Sequence, residues 1–271
     1  MRRRLDAELV RRGLASSRRV AVEAIEAGTV MVAGSPARTP ARMVEGSEPI
    51  VVTGPPPRFV SRGGEKLLAA LEQFSVDVSG RRCLDAGAST GGFTDCLLQR
   101  GAAEVVAVDV GRGQLAWSVR EDPRVRVLER TNLRHLALDE IGPPAELATA
   151  DLSFISLVLV APALARLTAA DAEFVLLVKP QFEAGRARVG RGGIVRDPAV
   201  HRDVLSSVVE GLAESGIETV AVMGSPLRGA DGNREFLAHA RKPGRGVMRV
   251  DAATLDAVAA PDDPVDGGDA A

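Results

Sequence analysis

Tyrosine is absent from this 271-residue chain, tryptophan occurs once, and aromatic residues make up only 3% of it. Val, Leu and Ala must therefore fill the core, and an apolar content of 45% is enough for one large domain and a small one. Two cysteines, Cys83 and Cys96, are too few for a disulfide framework or a metal site, and both lie in apolar surroundings that read as buried thiols. No metal is expected. The N-terminus MRRRLDAELVRRG lacks the apolar stretch of a signal peptide, and no segment reaches transmembrane length. A cytoplasmic protein that does not engage membranes is expected.

Lysine is the most informative scarcity. Of 34 basic residues only Lys66, Lys179 and Lys242 are lysines. Lysine is a compact charge that can lose its proton when buried, whereas arginine effectively cannot. Codon bias would leave the same count, so position has to decide. The cations are also unevenly spread. Residues 1–60 hold ten Arg against six acids, and the remainder carries an acidic excess. That asymmetry points to a basic N-terminal module that meets an anionic partner.

What is present centres on residues 82–95, RCLDAGASTGGFTD. An apolar run ends in Asp85 and opens into Gly87, Ala88, Ser89, Gly91 and Gly92, after which a helical pattern starts at Phe93. Strand, glycine-rich turn and helix N-terminus in this order mark where an open α/β sheet receives a nucleotide-like ligand. The next apolar run, EVVAVD, ends in Asp109, an acid suited to ribose hydroxyls. The turn lacks the GK[ST] of a phosphate-cradling loop. An acidic turn suits S-adenosylmethionine better than a dinucleotide, but the turn alone does not separate a methyltransferase from a dehydrogenase.

In chain order, Leu5, Leu9, Val10 and Leu14 follow helical spacing up to Gly13, and Ser16 or Ser17 can cap a second helix over Arg18 to Ala27. Strands are expected at 30–32 and 50–52, with a turn at 33–36. Arg3, Arg4, Arg11, Arg12, Arg18 and Arg19 lie on or beside the helices, as a solvated basic face or as forks for RNA phosphates. The pattern RLDAELVRRGLASSRRVAVEAIEAGTVMVAG resembles the S4 RNA-binding module, which implies binding to folded RNA.

The prolines of 53–58 read as a stiff linker closing a first domain, 1–58. A second domain is expected over 59–250, starting with a helix near 65–74 that carries Lys66 in its first turn, where the helix dipole opposes a cation. Strands are expected near 82–86, 104–109, 125–129, 146–151, 173–179, 217–223 and 235–240. Helices are expected near 92–101, 112–120, 155–167 and 198–214. Their alternation predicts an α/β fold, a Rossmann-like, seven-stranded, mainly parallel sheet behind a small α+β domain. Residues 251–271 contain no basic residue and read as a disordered acidic tail.

Ligands bind such sheets beyond the carboxyl ends of the strands. Asp85, Asp109, Asp151 and Lys179 all stand at expected strand ends, and antiparallel insertion of the last strand would bring Glu235 to the same edge. Two acids and two of the three lysines, Lys66 and Lys179, are thus candidates for one cleft. The motifs VSRGGEKL, DAGASTGGFTDCLLQRGA, DLSFISL, VKPQFEAG and GNREF, in that order behind the S4-like module, resemble the TlyA-type, haemolysin-like family of rRNA 2′-O-methyltransferases. Their catalytic domain is similar to the FtsJ-type ribose methyltransferases.

The resemblance implies a Lys-Asp-Lys-Glu tetrad at Lys66, Asp151, Lys179 and Glu235, S-adenosylmethionine as methyl donor, and cytidine 2′-hydroxyls of ribosomal RNA in one or both subunits as acceptors. Lys179 is the expected polarising or deprotonating group, its pKa lowered by burial and by Lys66, with Asp151 and Glu235 holding the two ammonium groups. Cofactor contacts are expected from Asp85, Gly87, Ala88, Ser89, Gly91, Gly92, Phe93, Asp109, Asp151 and Asn132. Two of these depart from the pattern: Asn132 stands where related enzymes often carry Asp, and Phe93 where the FtsJ type has Trp.

The segment FEAGRARVGRGGIVR places Arg186, Arg188, Arg191 and Arg196 among glycines directly after Lys179 and reads as an RNA-holding lid or as a surface loop. Competing functions fare worse. Asp151-Leu152-Ser153-Phe154 lacks the prolines of base amino-methyltransferases, neither cysteine sits at the cleft as cytosine C5 chemistry needs, and no amphipathic stretch suits a pore-forming haemolysin. A non-catalytic RNA-binding or ribosome-assembly protein would not need the tetrad.

Overall fold

A computed structural model describes residues 2–15, 18–54, 57–229, 231–242 and 249–261, without the side chains of Arg19 and Glu23. The expected cap at Ser16 or Ser17, the linker prolines 55 and 56, and residues 262–271 of the expected tail lie outside the described residues. The chain divides into two compact units, Met1–Val60 and Ser61–Ala271.

In the first unit, β1 (Arg2–Arg4) leads into α1 (Leu5–Arg11) and α2 (Arg18–Glu26), followed by β2 (Val30–Val32), β3 (Ser35–Pro36), β4 (Met43–Glu45) and β5 (Ile50–Val52). Leu5, Leu9, Ala21 and Ile25 from the helices close over Val30, Val32, Val44 and Ile50. β2 pairs with β3 and β5, and β1 with β4, all antiparallel. The β1–β4 ladder was not expected, because three arginines in a row carry no apolar alternation. Arg3 and Arg4 therefore sit on a strand, paired with Val44 and Met43.

The second unit starts with α3 (Gly63–Gln73) and then alternates: β6 (Arg82–Ala86), α4 (Gly92–Gln99), β7 (Glu104–Val108), α5 (Trp117–Arg120), β8 (Val125–Leu128), α6 (Leu138–Ile141), β9 (Ala145–Ala150), α7 (Leu157–Leu167) and β10 (Thr168–Val178). It continues through α8 (Pro180–Glu183), α9 (Pro198–Glu214), β11 (Glu218–Gly224), β12 (Phe236–Arg241) and α10 (Ala252–Ala259). The seven strands lie in the order β11-β12-β10-β9-β6-β7-β8, and only β12 runs antiparallel to its neighbours. This is the Rossmann-like, mainly parallel sheet that the alternation predicts.

Successive residues of each strand serve opposite faces. Leu84 and Ala86 join a core with Leu157, Leu164, Val204 and Phe174, while Asp85, between them, points toward α4. Phe174–Val178 are all buried, as a strand covered on both faces requires. Cys83 and Cys96 are free and buried, and burial pushes the Cys83 thiol up to about 12.

Two expectations need correction. The helix expected over 112–120 is only α5, because Gly111 and Gly113 give their amides to Asp109 and Glu129 (2.6 and 2.8 Å) and fix a loop in place of the first turns. The tail expected to be disordered contains α10. Its N-cap Asp251 accepts from Thr254 N at 2.8 Å, Leu255 and Ala259 are buried in the core, and Arg202 pairs with Asp256. Composition pointed to disorder, but two apolar residues four apart suffice to dock one short face.

Candidate active site

The turn after β6 is shaped first by packing. A Cβ on Gly87 (φ +85°) would stand 2.6 Å from the backbone oxygen of Asp151, so only glycine lets the turn pass the end of β9. One on Gly92 would stand 2.2 Å from Ser61 Oγ and 3.0 Å from Gly64 N, where α4 meets the start of α3. Phe93 is buried beside Gly63, and Gly91 is the left-handed N-cap of α4. Asp85 is fully buried. It accepts from Thr94 Oγ1 at 2.6 Å and Thr149 Oγ1 at 3.3 Å, and burial pushes its carboxyl up to about 7, against the pull of those hydroxyls. Of the expected cofactor residues, Asp85 and Phe93 thus support the turn from beneath.

On the side of the turn toward β7, Asp109 accepts the amides of Ser89 (2.8 Å) and Gly111 (2.6 Å). A narrow cavity here is lined by Ala88, Ser89, Ala107, Asp109, Gly111, Gln114, Leu115, Val127 and Glu129. Apolar walls with a carboxylate at the strand end fit a nucleoside, the base against carbon and the ribose hydroxyls on Asp109. Asn132 is exposed and spends its side-chain oxygen on Arg134 N at 3.1 Å, capping a short 3-10 turn.

The tetrad is assembled by register. Val178 of β10 lies opposite Phe236 of β12, which sets Lys179 and Glu235 on adjoining strand ends. Asp151 follows β9, whose Ala150 lies opposite Leu176. Lys66 Nζ donates to Glu235 Oε2, and Lys179 Nζ forms an ion pair with Asp151 Oδ1. Lys66 and Glu235 are buried, whereas Lys179 and Asp151 keep 12% and 26% of their side chains exposed, so the second pair is the one a substrate can reach. Lys179 also donates to Ser153 Oγ at 3.1 Å. The third lysine is structural: Lys242 Nζ donates to the oxygens of Ala165 and Thr168, both at 2.7 Å, at the end of α7.

Two residues without an expected role flank Lys179. Phe154 is 91% exposed in a left-handed backbone (φ +65°), and its ring meets that of Phe182 at 5.1 Å. A bulky residue at positive φ is strained, and such strain gathers at functional sites. Both rings, with Gln181, Arg186 and Val189, line an open hollow of about 520 Å³. In the arginine-rich segment, Arg186, Arg188, Arg191 and Arg196 are all exposed. Arg188 pairs with Asp203 at 3.1 Å, and Asn233 clamps the segment by accepting from Val195 N (3.0 Å) and donating to Gly193 O (2.9 Å).

In the N-terminal unit the candidate arginines are gathered by two buried acids. Arg4 and Arg18 share Asp6, while Arg3, Arg11 and Arg12 share Glu8. Arg12 also donates to the backbone oxygens of Glu45, Gly46 and Glu48, and only 19% of its side chain is exposed. It ties α1 to the β4–β5 turn, so the structure gives it a fold-holding part in place of the RNA-facing one expected.

With this geometry the chain can be set against known proteins. A family model described as FtsJ-like methyltransferase matches residues 59–242, and the S4 domain model matches residues 3–50. The chain is 56% identical over 236 residues to the 16S/23S rRNA (cytidine-2′-O)-methyltransferase TlyA of Mycobacterium tuberculosis, covering 87% of this chain and 88% of that protein. It belongs to the TlyA-type family of FtsJ-like methyltransferases. Hemolysin A of Brachyspira hyodysenteriae is 38% identical over 237 residues, which are 87% of this chain and 98% of that one. A hemolysin-labelled structure from Streptococcus thermophilus has a TM-score of 0.78 at 38% identity, covering 95% of this chain and 94% of the other. No helix among the described residues of this TlyA-type chain is long and apolar enough to cross a membrane.

Proposed function

We propose that this enzyme transfers a methyl group from S-adenosylmethionine to the 2′-hydroxyl of cytidine in ribosomal RNA, acting on ribosomal subunits in the cytoplasm. The observation that carries the reading is the matching of each of two rare lysines with its own carboxylate at adjoining strand ends, beside a nucleoside-sized turn. The relative named for 16S/23S cytidine 2′-O-methylation supports the choice of acceptor.

Bound in the turn, the cofactor supplies an electrophilic methyl group on a sulfonium. Everything else is asked of the protein. A ribose hydroxyl is a weak nucleophile, so it must be held in line and relieved of its proton. Lys179, the exposed member of the cluster, is the group for that task, since its Nζ is fixed by Asp151 and Ser153 and so aimed without a search over rotamers. Lys66 and Glu235 form the buried pair behind it and hold the end of β12 against α3. Asp109 would take the cofactor ribose, and Ala88 and Ser89 the adjoining backbone side. Phe154 offers an exposed ring face to a base of the RNA next to the reacting ribose. The N-terminal arginines and Arg186, Arg191 and Arg196 supply cations for phosphates.

Mapping 2′-O-methyl groups in rRNA from cells with and without the protein tests the reading. Cytidine 2′-O-methylation that disappears with the protein is expected. An unchanged methylation map, or loss of a base methyl group instead, would overturn it.

A further inference from the structure

Asp6 stands in the first turn of α1, yet α1 has no side-chain cap. Its carboxylate is turned to two arginines from different elements. Oδ1 accepts Arg4 Nε at 3.2 Å, and Oδ2 accepts Arg4 Nη2 and Arg18 Nη2, both at 2.9 Å. Only Ala7 N, at 2.8 Å on Oδ1, adds a backbone bond. The acid is 2% exposed, whereas the Arg4 and Arg18 side chains are 48% and 61% exposed. The carboxylate thus sits beneath the surface with one cation more than it needs. The bonds use three of the ten N–H groups of the two guanidinium forks, leaving seven for another acceptor.

We propose that Asp6 is a positioning residue for RNA binding, setting Arg4 and Arg18 as one rigid pair of forks for phosphates of a folded RNA backbone. The inference rests on the reading of the N-terminal module as RNA-binding. A free arginine loses side-chain entropy when it meets a phosphate, and a fork already held from behind loses less. The partner is a phosphodiester chain, since planar forks at fixed separation match bidentate phosphate oxygens. The buried acid also makes the sign of the effect unusual. By charge alone, removing a carboxylate from a basic surface strengthens RNA binding. By positioning, it weakens it.

The test is equilibrium binding of the full chain to purified 30S and 50S ribosomal subunits across a potassium chloride series, with melting curves to follow folding. Asp6→Asn is expected to weaken binding about fivefold to tenfold and to make the salt dependence shallower by about one to two counterions. The double variant Arg4→Lys with Arg18→Lys keeps the charge and loses the forks, and a similar loss is expected. If Asp6→Asn unfolds the module, this lysine variant decides, because it leaves the buried carboxylate with two cations. Unchanged or tighter binding by folded Asp6→Asn, or wild-type binding by the lysine variant, overturns the proposal. The double variant Arg4→Ala with Arg18→Ala separates the two readings. If it binds like wild type, the RNA-binding reading falls and takes the proposal with it; if it alone weakens binding, only positioning by Asp6 falls.

Discussion

Both halves of this protein bury carboxylates against cations, but in different ratios. In the catalytic domain Glu235 meets Lys66 and Asp151 meets Lys179, one acid to one base. In the N-terminal module Asp6 meets two arginines and Glu8 meets three. A matched pair leaves no net charge, so the catalytic lysines are held for aim and proton handling instead of attraction. An outnumbered acid leaves a positive surface that is already ordered, which suits a polyanion. Asp85 is a third case, an acid with no cation in contact, and burial keeps its proton on up to about pH 7. The ratio of acids to bases thus separates chemistry from grip.

The largest effect should come from breaking the exposed matched pair. Asp151→Asn leaves the Lys179 ammonium without its counter-charge and should lower kcat about 10²- to 10⁴-fold in a labelled-methyl transfer assay on ribosomal subunits. Within one order of magnitude of wild type, the pair would not be catalytic. Ser153→Ala removes a neutral bond to the same Nζ and should cost less than about tenfold.

On the grip side, single Arg→Ala changes at 186, 191 and 196 should each raise KM for subunits about threefold to tenfold and flatten its salt dependence. Arg188→Ala should do less, because Asp203 already holds that side chain. Equal effects at all four positions would mean that pairing does not decide which arginines grip.

The smallest effect separates the domains by pH. The folded carboxyl of Asp85 titrates near 7 and the unfolded one near about 4, so the folded state binds the extra proton in that window. Stability of the catalytic domain should therefore fall as pH rises from about 4 to 7, and Asp85→Asn should remove that slope in thermal melts. Asp6 and Glu8 are held down to about 2 by their arginines, led by Arg4 and Arg11. Their contribution is present above about pH 4 and is lost as pH falls toward 2. Hydrogen exchange resolved by domain should show the two slopes with opposite signs.

The sheet was legible because its strands are apolar, bounded by glycine or acids, and separated by helical spacing. Five strands of the sheet lie within two residues of the expected bounds at both ends, and α9 matches at both. The tetrad could be found because lysine is so rare here and because strand ends are where such folds bind ligands. Less was legible where a contact joins distant segments through polar groups. Nothing in RRR announces a strand paired with residues 43–45, and nothing around Asp109 announces that its carboxylate takes Gly111 N and forestalls a helix. Arg12 looks like any other exposed arginine until the β4–β5 turn is seen to fold onto it. Ser153 and Phe154 lay inside a motif that was noted, but their use depends on where Lys179 and Phe182 come to rest.

The central claim is that Lys179 acts through a compact ammonium that can be aimed and can exchange its proton. The most direct measurement is Lys179→Arg, assayed in parallel for S-adenosylmethionine binding and for methyl transfer to ribosomal subunits. Arginine keeps the charge beside Asp151 but offers no accessible free base. Cofactor binding within about twofold of wild type, with transfer abolished, is the predicted result. Transfer near the wild-type rate would contradict the account.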